Sequence, residues 1–230
     1  MVQYKQFRVI VYFCIMKIFV IHYAKLVDRK QHIISQFAKH NFTDYEFVEI
    51  DRDELVNENT DIFESGYNKA QIAISLSHFK AYREISEKLE NGLILEDDVF
   101  LCDSFSDILS MYMSHLPTNY DMMFIGDGCN LHIPKEELIH NKFVYEKFVG
   151  HASWGEGGGF GATRCADSYV VSNKGAKKLC EYIDNLTYKI NLPVDWWLNI
   201  ALRDANCSVY WCEPTIATQG TQNGAFSSSH

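Results

Sequence analysis

The sequence predicts an α/β fold, a mainly parallel sheet flanked by helices. Three observations predict it. Short β-branched apolar runs alternate with stretches of helical period through the first half of the chain. The first of those runs is apolar throughout, as a strand covered by helices on both faces must be. One run, in "GLILEDDVF" (92–100), drives straight into three acids, and strand ends are where open α/β sheets bind ligands.

Each element has its own local reason. "KIFVIHY" (17–23) reads as a strand buried on both faces. "DRKQHIISQFAKHN" (28–41) carries Ile33, Ile34, Phe37 and Ala38 at helical spacing, and "DYEFVEID" (44–51) reads as a second strand ending at Asp51. A polar loop over 52–68 precedes a long helix over 70–92, with Asn91-Gly92 as its stop. The strand "LILE" (93–96) follows at once. A helix over 104–116, a strand over 120–126, a loop-rich stretch over 127–167 and a short strand over 168–172 come next. Asn173 stands as the cap of a helix over 173–186, and Pro193 lies near the start of another over 192–206. A last strand spans 207–214, before a polar tail that reads as flexible. No internal repeat or low-complexity linker breaks the chain. The expectation is one domain over 16–230 with residues 1–15 as an N-terminal extension, Met16 being a natural start.

Composition excludes several classes of function. The chain of 230 residues is 47% hydrophobic and 14% aromatic, enough for a packed core and unlike a disordered chain. Its net charge of −9 argues against a bare nucleic-acid partner. "RVIVYFCIMKIFVIHY" is apolar but broken by Lys17, too short for a membrane span, and no small-x-small cleavage site follows it. Seven cysteines at irregular spacing, with no C-x-x-C, favour free thiols in a reducing compartment. A cytoplasmic protein is expected, with peripheral membrane association open to it.

The acid triplet carries the chemistry. On extended chain, residues two apart point the same way, so Glu96 and Asp98 should share a direction and Asp97 should face away. Two aligned carboxylates can grip one hard cation, Mn²⁺ or Mg²⁺, which takes oxygen ligands and keeps positions open for phosphates. The plainer alternative is a solvated acidic turn. The apolar run before the acids and Val99-Phe100 after them favour a site, since an exposed turn would more usually carry Gly, Pro or Asn.

"LILEDDV" resembles the acidic metal motif of glycosyltransferase family 25, which includes lipopolysaccharide and collagen galactosyltransferases. "IFVIHYAKLVDRKQHI", "AISLSHFKAYREI", "SYVVSNKGAKKL" and "LPVDWWL" resemble further family segments, in the family's order, over roughly residues 17–220. The resemblance implies a Rossmann-like fold of GT-A type and transfer of a hexose, galactose before glucose, from a UDP-sugar to a hydroxyl with inversion. The acceptor would be a glycan, a glycolipid or a protein. It implies metal contact by Asp98, helped by Glu96 or Asp97, with Glu96 standing where the common D-x-D pattern has Asp. Asp195, in the first turn of its helix, is the candidate base, and Trp196 and Trp197 a sugar-stacking wall. The alternative is an acid favoured by the helix dipole beside two core tryptophans. The nucleotide is expected against Ile21, His22, Tyr23 and Arg29, with Asp51 on uracil or ribose. Ser77 and His78 face either the site or the core, and Gln219 is a further candidate contact for metal or phosphate.

Other signals carry less. "GGGFGA" (157–162) fits a dinucleotide fingerprint in form, but no clear strand precedes it, and a mobile loop near the acceptor is the better reading. A nucleotidyltransferase would want a glycine-rich basic loop after the first strand, and "HYAKLVDRK" has no glycine. A non-catalytic nucleotide-sugar-binding module is the remaining alternative.

Overall fold

The structure is a computed structural model, and it describes residues 16–55, 60–128, 130–147 and 164–228. The glycine-rich stretch at 155–161 and the N-terminal 15 residues lie outside the described residues.

The first strand, β1 (Lys17–His22), leads through a short turn into α1 (Val27–His40) and then β2 (Tyr45–Glu49). The long helix α2 (Lys69–Lys88) precedes β3 (Asn91–Glu96). Next come the short β4 (Val99–Leu101), α3 (Phe105–His115), β5 (Met122–Phe124) and β6 (Val144–Glu146). The chain then runs through β7 (Ser168–Ser172), α4 (Asn173–Asp184), α5 (Val194–Asp204), β8 (Val209–Cys212) and β9 (Ala217–Gln219).

Among the described residues, seven strands form one sheet in the order β2-β1-β3-β7-β5-β8-β6, while β4 and β9 pair separately. β1 is parallel to β2 and β3, and β5 is parallel to β8. β7 runs antiparallel to both β3 and β5, and β6 runs antiparallel to β8. Five of the seven strands therefore share a direction, the mainly parallel α/β sheet flanked by helices that was expected. β6 and β7 run opposite to the other five.

Period-two alternation sorts the strands into two cores. Phe19, Ile21, Ile94, Phe124, Tyr169, Val171 and Trp211 pack with residues of α2, α4 and α5 on one face. Ile18, Val20, Leu93, Leu95, Met123, Val170 and Tyr210 pack with residues of α1 and α3 on the other. This explains why the strand runs are apolar throughout.

Two local expectations are corrected. Asn91-Gly92 do not stop α2, which ends at Lys88; they open β3, paired with Ser172 and Val171. Gly92 is there for closeness, because a Cβ would lie 2.6 Å from Ile85 Cδ1 of the overlying helix. Asn173 does not cap its own helix either. Ser172 does that, accepting from the Gly175 N–H at 3.0 Å. The Asn173 amide instead donates to the carbonyls of Ile85, Ser86 and Leu89 at 2.8, 3.0 and 2.8 Å, satisfying the C-terminal end of α2.

The segment read as a flexible tail is tied down over residues 217–227. β9 pairs with β4, and Phe226 lies 5.1 Å from the His32 ring and 6.2 Å from Phe100.

Asn173→Ala removes the side-chain donor from the Ile85, Ser86 and Leu89 carbonyls, of which Ile85 keeps the Leu89 N–H. Urea unfolding should show a loss of about 1–3 kcal/mol with an unchanged m-value.

Candidate active site

The carboxyl ends of β1 and β3 lie at one edge of the sheet. A cavity of about 440 Å³ opens there. Ile21, His22, Tyr23 and Arg29 line it from β1 and α1, Glu96, Asp97 and Asp98 from the end of β3, and Ser77 from α2. Asp195 and Trp196 line it from the first turn of α5, and Gln219 from β9. Of the residues singled out from the sequence, Asp51, His78 and Trp197 are not in the lining.

The three acids do not follow the expected alternation. β3 ends at Glu96, and Asp97 and Asp98 form a tight turn into β4. Asp97 is buried and held at both oxygens: Arg29 Nη1 donates to Oδ1 at 2.8 Å, and His22 Nδ1 lies 2.7 Å from Oδ2. Arg29 Nη2 donates in turn to the Ser227 carbonyl at 2.6 Å. The arginine expected against the nucleotide is thus engaged in fixing the acidic turn.

Asp98 is only 1% exposed. Its Oδ2 accepts the Thr221 N–H at 3.0 Å, and its Oδ1 has no hydrogen-bond partner among the described residues. Glu96 accepts from Gln219 Nε2 at 3.3 Å, while its side chain keeps 23% exposure. Burial, then the charges of Asp98, Asp167, Asp97 and Asp195, push the Glu96 carboxyl well above its ordinary range.

His78 stands behind Glu96, its Nε2 3.8 Å from Glu96 Oε1. It is fully buried, its Nδ1 lies 2.7 Å from the Tyr169 hydroxyl, and that hydroxyl lies 2.6 Å from that of Tyr82. Burial lowers the His78 pKa to about 3, so the ring is neutral and gives Glu96 no counter-charge. Its neighbour Ser77 donates to the Ala73 carbonyl at 2.9 Å, an ordinary bond within the helix. The Asp51 carboxylate turns to the Asp53 N–H at 2.8 Å. Its neighbours Ile50 and Arg52 reach the cavity instead. Trp197 is core, 1% exposed and 4.8 Å from the Phe79 ring, whereas Trp196 is 43% exposed at the cavity. Of the sugar-stacking pair, only Trp196 is placed to serve.

Sequence reasoning passed over Arg52 and Asp167. Arg52 lines the cavity with its guanidinium 3.9 Å from the centre of the Tyr23 ring, a cation–π geometry. Asp167 is fully buried behind the acids; its carbonyl accepts the Glu96 N–H at 2.7 Å, and its Oδ1 has no partner among the described residues. Burial raises its carboxyl to about 7. No local signal marked it: an acid immediately before a strand reaches the ligand edge only when that strand is antiparallel, which the sequence does not state.

Residues 15–198 match the family described as glycosyltransferase family 25 (LPS biosynthesis protein). The chain belongs to glycosyltransferase family 25. Among relatives, a protein of Acanthamoeba polyphaga mimivirus named as a glycosyltransferase is 27% identical over 140 residues, 57% of this chain and 42% of that protein. A procollagen lysyl hydroxylase and glycosyltransferase of the same virus is 25% identical over 224 residues, 86% of this chain and 22% of that protein. The chain thus spans less than half the length of either relative. Among solved structures, a mutant of Drosophila β1,4-galactosyltransferase 7 in complex with manganese, UDP-Gal and xylobiose is 15% identical, with a TM-score of 0.41. The alignment covers 90% of this chain and 68% of that one. A glycosyltransferase involved in glycosylation of the PBCV-1 major capsid is 9% identical with a TM-score of 0.48, covering 92% of this chain and all of that one. The acidic turn and Asp195 both fall within the span that matches the family.

The raised Asp167 carboxyl makes a signed prediction. Between its ordinary 3.8 and about 7, the unfolded chain has released this proton while the folded chain keeps it. That contribution to stability is present below 3.8 and is lost as the pH rises through about 7. Asp167→Asn should therefore gain stability over wild type at pH 8 relative to pH 4, by about 3 kcal/mol, in urea titrations run in metal-free buffer.

Proposed function

We propose that this family 25 glycosyltransferase is a metal-dependent, inverting hexosyltransferase that uses a UDP-sugar, galactose before glucose, and a glycan, glycolipid or protein hydroxyl as acceptor. The observation that carries the reading is Asp98: a buried carboxylate at the cavity with one oxygen held and the other without a partner among the described residues. Arg29 Nη1 lies 3.9 Å from the held oxygen, so the charge has a counter-ion, but a buried carboxylate oxygen with no partner is costly unless something binds it.

Charge balance supports the same reading. Among the described lining residues, four carboxylates (Glu96, Asp97, Asp98 and Asp195) meet two guanidinium groups, Arg29 and Arg52. A diphosphate entering such a cavity needs further positive charge. Among the described residues no three His, Cys, Asp or Glu side chains form a metal cage of their own. That suits Mn²⁺ or Mg²⁺, which are commonly held by one or two carboxylates together with substrate phosphates. Asp98 would hold the ion, with Glu96 beside it and Asp97 kept in place by Arg29 and His22. When bound, the ion supplies a Lewis acid for the diphosphate leaving group.

The remaining steps fall to side chains of this chain. Asp195 takes the proton of the acceptor hydroxyl at a carboxylate oxygen. The acceptor oxygen forms its bond to the anomeric carbon as the bond to the diphosphate oxygen breaks on the opposite face, which inverts the centre. Trp196 offers an aromatic face to a hexose ring. Tyr23 and Arg52 are assigned to the nucleotide side, with Ile21 at their base. We also assign the protein to the cytoplasm, since the five described cysteines are free thiols. Among the described residues no helix is long and apolar enough to cross a membrane.

Thermal unfolding with UDP should show a stabilising shift that requires Mn²⁺, and a donor screen should show UDP release highest with UDP-galactose. A UDP shift indifferent to metal would remove the cation from the reading; no response to any nucleotide would favour a binding module for another ligand. Asp98→Asn should abolish the metal-dependent shift. Asp195→Ala should keep that shift and lower kcat by at least about 100-fold; near-wild-type turnover would take Asp195 out of the chemistry.

A further inference from the structure

The carboxylate torsion of an aspartate is soft, with a broad two-fold profile, so the side chain alone does not fix which oxygen faces a ligand. At Asp98 something outside the acidic turn fixes it. Two successive backbone amides of the segment after β9 grip this one residue. The Gly220 N–H donates to the Asp98 carbonyl at 2.8 Å, and the Thr221 N–H donates to its Oδ2 at 3.0 Å. The first bond holds the main chain, and the second turns the carboxylate so that Oδ1 is left without a partner among the described residues.

The segment that supplies these amides is itself anchored. The Ala225 and Phe226 N–H groups close back on the Gly220 carbonyl at 2.9 and 3.2 Å. The Phe226 ring lies 5.1 Å from His32 and 6.2 Å from Phe100, and the Arg29 guanidinium sits 5.4 Å over it. Arg29 also donates to the Ser227 carbonyl at 2.6 Å. The arginine that fixes Asp97 therefore also anchors the segment that fixes Asp98.

Gly220 is the close point. A Cβ there would lie 2.6 Å from the Asp98 carbonyl oxygen, 2.6 Å from Phe226 and 3.0 Å from Phe100. The Asp98 carbonyl is backbone and cannot yield as a side-chain tip would, so a side chain at 220 must lift the segment away.

We propose that residues 220–227 are a positioning strap for Asp98. Gly220 permits its approach, the Thr221 amide sets the carboxylate, and Phe226 with Arg29 pins it. The strap touches no reacting atom; it acts through Asp98. The inference rests on the proposed cation-binding role of Asp98 for its functional meaning, but its geometry can be read without any metal.

The test uses the full chain in two arms. In metal-free buffer, amide hydrogen exchange should find the Thr221 amide protected in wild type, and at least about tenfold less protected in Gly220→Ala and Phe226→Ala. In the second arm, Mn²⁺ binding in the presence of UDP, read by calorimetry, should weaken by 10- to 100-fold in both variants while their unfolding midpoints stay close to wild type. Phe226→Ala is included because it crowds nothing, so it stands if Gly220→Ala fails to fold. An unprotected Thr221 amide in wild type overturns the strap. So does protection lost in the variants with Mn²⁺ affinity unchanged. If wild type takes up no Mn²⁺ while the exchange results hold, the strap stands as a device that orients Asp98, and the metal reading is what fails.

Discussion

The buried ion pair between Arg29 and Asp97 is the contact on which the site depends. It joins α1 to the end of β3, and through Ser227 it draws in the chain's C-terminal segment. His22 completes it from the end of β1. A buried ion pair is rarely a net source of stability, because desolvating both charges offsets their attraction. Here its consequence is placement. Three separate lengths of chain meet at one carboxylate, and the next residue, Asp98, inherits a defined position. The middle acid of the triplet is a fixture, and its neighbours face the cavity.

That arrangement leaves the edge of the sheet electrostatically unbalanced. Burial, with the charges of Asp98 and Asp167 beside it, raises the Glu96 carboxyl, and the imidazole next to it, His78, is kept neutral by burial. A site that evolved only for stability would pair such charges or dispense with them. Local violations of that rule mark functional places in otherwise consistent folds.

Much of this was legible in the sequence. β1, α1, β3 and α5 were readable because each carries one strong period and short flanking signals. The acidic turn was readable because an apolar run precedes the three acids and Val99-Phe100 follows them, where an exposed turn would more usually carry Gly, Pro or Asn. The failures have physical causes. Alternation holds only on extended backbone and the chain turns at Asp97, so Arg29 and His22, rather than the pleat, set that acid apart. Asp167 was missed because its role depends on the direction of β7, which no local pattern encodes. His78 sits on a helix whose buried face is broader than its apolar residues suggest, with Ser75, Ser77 and His78 all inside. The tail read as mobile because its composition is polar. Its anchors are one ring, Phe226, and backbone amides, which composition does not reveal.

The Asn173 amide, set against the last carbonyls of α2, has a reach beyond its own bonds. Asn173 follows directly on β7, and its N–H also donates to the Glu90 carbonyl at 2.8 Å, just ahead of β3. The end of one helix, the start of another and the adjoining ends of two paired strands thus share a single side chain and its backbone. Fraying of α4 would strip the end of α2 of its donors, and loss of α2 would uncover the β3–β7 ladder. These four elements should open together or not at all, as one cooperative unit of subglobal unfolding. The acids stand at the far end of that ladder. The fold thereby places its most strained charges on a part of the molecule that resists piecemeal opening.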